Sequence, residues 1–106
     1  MKILTICSAG TVRSVAMAHV LKYDYEHDAV AAGYDTNSPE TFKMLADWAD
    51  LILPMTPGHA KALPKGVEHK THVLDIGPDI WSNPLHPSLQ GRLKLIAFDL
   101  REKRII

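Results

Sequence analysis

Cysteine is nearly absent: Cys7 is the single one in 106 residues. No disulfide can form within the chain, so a reducing compartment and a cytoplasmic location are the expectation. An excess of either charge is missing as well. Twelve Lys and Arg balance twelve Asp and Glu, which leaves no broad basic field for nucleic acid. Five of the basic residues, Arg92, Lys94, Arg101, Lys103 and Arg104, fall after position 91. They read as the solvated face of a last helix. No apolar run approaches the ~20 residues of a membrane span. Ile3-Leu4-Thr5-Ile6 is too short for the core of a signal peptide. No membrane partner is expected. Repeats, low-complexity tracts and linkers are lacking too, so residues 1–106 are read as a single domain around one core.

What is present alternates. Ile3-Leu4-Thr5-Ile6 reads as a buried strand, and Arg13 to about Tyr25 as a helix with Ala16, Met17, Val20 and Leu21 on one side. Ala29-Val30-Ala31-Ala32 reads as a second strand ended by Gly33. Ser38-Pro39-Glu40 combines a capping serine, a proline at the first helical position and an acid in the first turn. Phe42, Leu45 and Ala49 follow at helical spacing, and Asp50 to Pro54 reads as a third strand. Thr56-Pro57 opens a short helix to about Leu63. His72 to Asp75 reads as a fourth strand, Ile76 to Leu85 as loop. The final helix carries the stripe Leu89, Leu93, Ile96 and Leu100. This order implies an α/β fold with a parallel sheet, helices on both faces and right-handed crossovers. Ligands bind such sheets beyond the carboxyl ends of the strands, where Cys7 and the loop after Asp75 lie.

The residues after the first strand are Cys7-Ser8-Ala9-Gly10-Thr11-Val12-Arg13-Ser14. A strand that ends in a tight loop and enters a helix turns successive N–H groups inward and forms an anion cradle. The amides of Ser8 to Arg13 would hold a phosphate there, with the Arg13 guanidinium gripping two oxygens as a fork. The same positive field favours a thiolate at Cys7, placed beneath the phosphorus as an in-line nucleophile. The Ser14 hydroxyl is positioned to donate to that sulfur. The plainer alternative makes Cys7 a small buried hydrophobe and Arg13 an ordinary helix residue. It leaves the loop composition unexplained.

This segment resembles the loop Cys-x-Gly-Asn-x-Cys-Arg-Ser of the low-molecular-weight protein tyrosine phosphatases and related arsenate reductases. Ala32-Gly33, the stretch Ala49 to Thr56 with His59 and Leu63 beyond it, and Leu74 to Trp81 resemble later family segments in the same order. The resemblance implies a three-layer α/β/α fold with a four-stranded parallel sheet in the order 2-1-3-4. It implies phosphate monoester hydrolysis through a phosphocysteine, with phosphotyrosine in proteins as the default substrate and no cofactor. Four positions depart from the pattern: Ala9 for a glycine, Gly10 for the asparagine that braces the loop, Val12 for a second cysteine, and Ile80 for a proline. Without further cysteines, reductase chemistry has no residue to resolve its intermediate.

The family's general acid is a late-loop Asp, and the resemblance points to Asp79, between Pro78 and Ile80-Trp81. Asp75 is a second candidate. Asn83-Pro84 offers a third alignment, one that would leave an amide in place of the acid. Trp81 is a candidate wall for an aromatic substrate, and Tyr34 a weaker one; the alternative for Trp81 is a loop anchor. The six histidines (His19, His27, His59, His69, His72, His86) are scattered without partners at ligand spacing, so no metal is expected. The expected partner is a phosphorylated protein or a small phosphate monoester. Two rivals remain. One is a phosphocysteine carrier similar to the enzyme IIB component of the sugar phosphotransferase system, whose loop Cys-Ser-Ala-Gly matches Cys7 to Gly10 but lacks the arginine. The other is a non-catalytic phosphate-binding module.

Overall fold

The computed structural model describes every residue of the chain except Ala62 and Asp79. Its sheet is built around β1 (Lys2–Cys7), flanked in parallel by β2 (Asp28–Gly33) and β3 (Leu51–Pro54), in the order β2-β1-β3. Side chains alternate across β1 as a two-residue period requires. Ile3 and Cys7 face one way, toward α1 (Arg13–Tyr23) and α4 (Pro87–Glu102); Leu4 and Ile6 face the other, toward α2 (Pro39–Trp48). Three layers result, with a core cluster on each side of the sheet.

Most apolar positions legible in the sequence are buried, while Leu45 and Ile96 are half-buried and Val30 is exposed. Ala16, Met17, Val20 and Leu21 on α1 are fully enclosed, as are Leu89 and Leu93 on α4. Burying each large aliphatic side chain is worth about 1.5–3 kcal/mol, well above any helix propensity term, so these stripes fix which helix faces turn inward. The α2 start is as the sequence indicates: Ser38 Oγ accepts a hydrogen bond from the Thr41 amide at 3.2 Å. The predicted third helix is shorter than expected, with α3 covering Pro57–Ala60, and a 3₁₀ turn over Glu68–Lys70 was not anticipated.

The expected fourth strand is corrected. The segment after the 3₁₀ turn runs beside β3, but a single parallel bridge, Ile52 with Thr71, is all that forms. The amides of His72 and Leu74 donate to the carbonyls of Ile52 and Pro54 at 2.9 and 2.8 Å. The Pro54 carbonyl faces this segment, so an N–H at residue 54 would face it too. Proline has none, and the next rung of the ladder is lost. The sheet therefore has three strands, with residues 71–74 docked on the β3 edge.

Register brings the functional segments to one end. Cys7 pairs with Gly33 and Ile6 with Pro54. The cysteine loop, the turn after β2 and the turn after β3 thus emerge together at the carboxyl ends of the strands.

Candidate active site

Cys7 closes β1 and is 3% exposed. The chain then turns through Ser8 to Val12, with Gly10 at φ +72°, and enters α1 at Arg13. No side chain caps the start of α1, so its first-turn amides keep their capacity for an anion. Ser14 Oγ lies 2.9 Å from Cys7 Sγ, and the Gly10 amide donates to the same sulfur at 3.2 Å. Donors aimed at sulfur stabilise negative charge on it. The Ser14 contact is the one the loop spacing predicts.

Arg13 is 5% exposed. Its Nη1 donates to the Gly77 carbonyl at 3.0 Å and its Nη2 reaches Ser8 Oγ at 3.5 Å. Its Nε is buried and has no hydrogen-bond partner among the described residues. A buried guanidinium with an unsatisfied donor is costly, and an anion in the loop would relieve that cost.

The loop is held from outside by the turn after β2. The amides of Tyr34 and Asp35 donate to the carbonyls of Cys7 and Ser8 at 3.1 and 2.9 Å. Thr36 Oγ1 donates to the Ala9 carbonyl at 2.9 Å, and Asn37 Oδ1 accepts from the Gly33 amide at 2.9 Å. These contacts brace the loop where Gly10 replaces the expected asparagine. The sequence analysis assigns Asp35, Thr36 and Asn37 no role.

On the other side, His59 of α3 is 4% exposed, with Nε2 3.1 Å from Ser8 Oγ and Nδ1 3.1 Å from Thr56 Oγ1. Burial and then the nearby Arg13 charge lower its pKa from 6.5, against a smaller opposing pull from Asp35. The sequence marks His59 as part of a family-like stretch but assigns it no role.

The remaining candidates fall in different places. Tyr34 stands beside the loop, 41% exposed, its ring centroid 5.5 Å from that of His59. Trp81 is half-buried against the core cluster that contains Cys7. Asp79 lies outside the described residues. Gly77, two positions before it, is the residue bonded to Arg13. Asp75 is exposed on a groove shared with Leu95, Ile96 and Asp99 of α4. Asn83 accepts from the Leu85 amide at 2.9 Å, as a turn residue does. Among the described residues no group of three or more His, Cys, Asp or Glu side chains is arranged to hold a metal ion. No helix there is long and apolar enough to cross a membrane.

No protein-family model matches the sequence, and no curated protein does. Solved structures do match. The YwlE arginine phosphatase of Geobacillus stearothermophilus superposes with a TM-score of 0.75 at 20% identity, over 96% of this chain and 91% of that one. A low-molecular-weight protein tyrosine phosphatase from Bacillus subtilis gives 0.68 at 19%, over 98% and 99%. Wzb from Vibrio vulnificus, in complex with benzylphosphonate, gives 0.73 at 20%, over 96% and 97%. This chain has the low-molecular-weight phosphatase fold. Within that fold, Cys7, Arg13 and Ser14 sit together at the end of the central strand, and Gly77 brings the late loop onto Arg13.

Proposed function

We propose that the chain is a cysteine-dependent phosphatase that hydrolyses phosphate monoesters, with phosphotyrosine in proteins as its substrate. The carrying observation is the convergence on one loop of a nucleophile and its charge stabilisers. Cys7 Sγ receives Ser14 Oγ and the Gly10 amide, while the buried Arg13 keeps an Nε with no partner among the described residues. Benzylphosphonate, the ligand of the Vibrio vulnificus Wzb structure, pairs an aromatic ring with a phosphate-like head. The exposed Tyr34 ring beside the loop suits that shape here, and Trp81 anchors the late loop as a second wall.

The phosphate dianion docks on the amides of Ser8, Ala9, Gly10, Thr11, Val12, Arg13 and Ser14 and on the Arg13 fork. Cys7 thiolate attacks phosphorus; the S–P bond forms as the P–O bond to the leaving group breaks. Asp79 gives its proton to the departing oxygen. Water then attacks the phosphocysteine, Asp79 takes the water proton, and the S–P bond breaks with its electron pair returning to sulfur. Ser14 stabilises the released thiolate. Arg13 and the amides hold the transition-state charge, which is the largest contribution to such transfers.

Asp79 is favoured over Asp75 by its place between Pro78 and Ile80-Trp81 in the family-like segment, and because Asp75 faces the α4 groove. The carrier reading fits less well, since it leaves a buried arginine in the loop without a task. The test is hydrolysis of para-nitrophenyl phosphate in EDTA and reductant by the wild type, Cys7→Ser and Asp79→Asn. Activity is expected to vanish in the first variant and to fall about 10²–10⁴-fold in the second. Turnover unchanged in Cys7→Ser refutes the reading.

A further inference from the structure

One buried group beside the loop has no part in the steps above. His59 is wired at both ring nitrogens, to Thr56 Oγ1 and to Ser8 Oγ, each at 3.1 Å. Ser8 Oγ is in turn the group that Arg13 Nη2 approaches at 3.5 Å. Four side chains from three segments therefore form one connected row, Thr56, His59, Ser8, Arg13. The far arm of the guanidinium is fixed separately, by the Gly77 carbonyl.

We infer that His59 is a positioning residue that holds the Ser8 hydroxyl and through it sets the Arg13 fork for phosphate. The inference deepens the phosphatase reading and rests on it. Neutral imidazole has one donor and one acceptor nitrogen, and each hydroxyl can play either part. With Nε2 donating, Ser8 Oγ accepts from both His59 and Arg13, and its own hydrogen stays free for a phosphate oxygen. With Nε2 accepting, the ring takes that hydrogen. Loss of the ring releases Ser8 in either case and unties one arm of the guanidinium.

Among the described residues, Arg13 from α1 and Asp35 from the turn after β2 are the charged groups that act on the ring, with the Tyr34 ring alongside. Burial and Arg13 favour the neutral imidazole, and Asp35 opposes them. Protonation would turn both nitrogens into donors and place a second positive charge next to Arg13. A histidine that merely filled space would need neither hydrogen bond.

The experiment measures kcat and KM for para-nitrophenyl phosphate, and inhibition by inorganic phosphate, in wild type, Ser8→Ala, His59→Gln, the double variant and Thr56→Val. His69→Gln, on the exposed 3₁₀ turn, is the control. Ser8→Ala and His59→Gln should each weaken phosphate inhibition and raise KM about tenfold, the size of one lost hydrogen bond to a charged-group network. The double variant should be no worse than either single one, because both cut the same row. Thr56→Val should act in the same direction to a smaller extent, and it carries the test if His59→Gln does not fold. Additive losses, or phosphate inhibition unchanged in His59→Gln and Thr56→Val, overturn the inference. If the wild type does not hydrolyse the ester, the phosphatase reading fails by itself. Direct titration with inorganic phosphate then decides: weaker binding in the variants sustains the role of His59, and equal binding ends it.

Discussion

Gly10 and Gly33 meet backbone to backbone. A Cβ built on Gly10 would sit 2.5 Å from the Gly33 nitrogen, and one on Gly33 would sit 2.2 Å from the Ala9 carbonyl carbon. Both are far inside van der Waals contact, and the neighbours are main chain, which cannot swing aside. The cysteine loop keeps its shape because the turn after β2 is pressed against it at this point.

Gly33→Ala should therefore push the loop away from β2. The expected cost is about 1–3 kcal/mol of stability, as for other overpacked sites. Phosphatase activity should fall with it, since the Thr36 and Asp35 contacts to the loop carbonyls stretch together. Urea unfolding and ester hydrolysis on one preparation check both. Wild-type values for Gly33→Ala would show that the close approach does not govern the loop.

Arg13→Lys keeps the positive charge but not the fork. An ammonium carries its three N–H groups on one nitrogen and cannot span the Gly77 carbonyl, Ser8 Oγ and a phosphate at once. The expected loss in kcat/KM is about 10²–10³-fold, with the fold intact by circular dichroism. A drop of less than about fivefold would mean that charge alone suffices at this position.

Stability should depend on pH through His59. Its pKa is lowered in the folded chain, first by burial and then by Arg13, so the unfolded chain binds more protons just below 6.5. Stability then rises with pH through that window: it is fully present above 6.5 and is lost as pH falls from there through the lowered folded value. His27, also lowered by burial, contributes with the same sign. His59→Gln should flatten the slope of unfolding free energy against pH below 6.5. An unaltered slope would assign the effect to His27.

Local signals in the sequence carried a good deal of this. The run Ile3 to Ile6 and the Ser38-Pro39 cap depend on neighbours in the chain and form where expected; the α4 stripe buries Leu89, Leu93 and Leu100 as expected, with Ala97 enclosed and Ile96 half-buried. The Cys7–Ser14 contact was legible for the same reason, since both residues belong to one loop. The fourth strand failed because its pairing depends on an amide that Pro54 lacks, a property of the partner strand. The brace from Thr36 to the Ala9 carbonyl joins residues 27 positions apart, and the Ser8–His59 bond spans 51. Pairings of that kind arise from sheet register, which no short motif encodes.

In the proposed reaction Cys7 carries the phosphoryl group. The most direct measurement is mass spectrometry of the chain, acid-quenched during turnover of para-nitrophenyl phosphate, with the adduct mapped by peptide. A phosphate is expected on the Cys7 peptide, disappearing as substrate is exhausted and never seen in Cys7→Ala. Steady hydrolysis with no adduct on Cys7, or hydrolysis that survives Cys7→Ala, would contradict it.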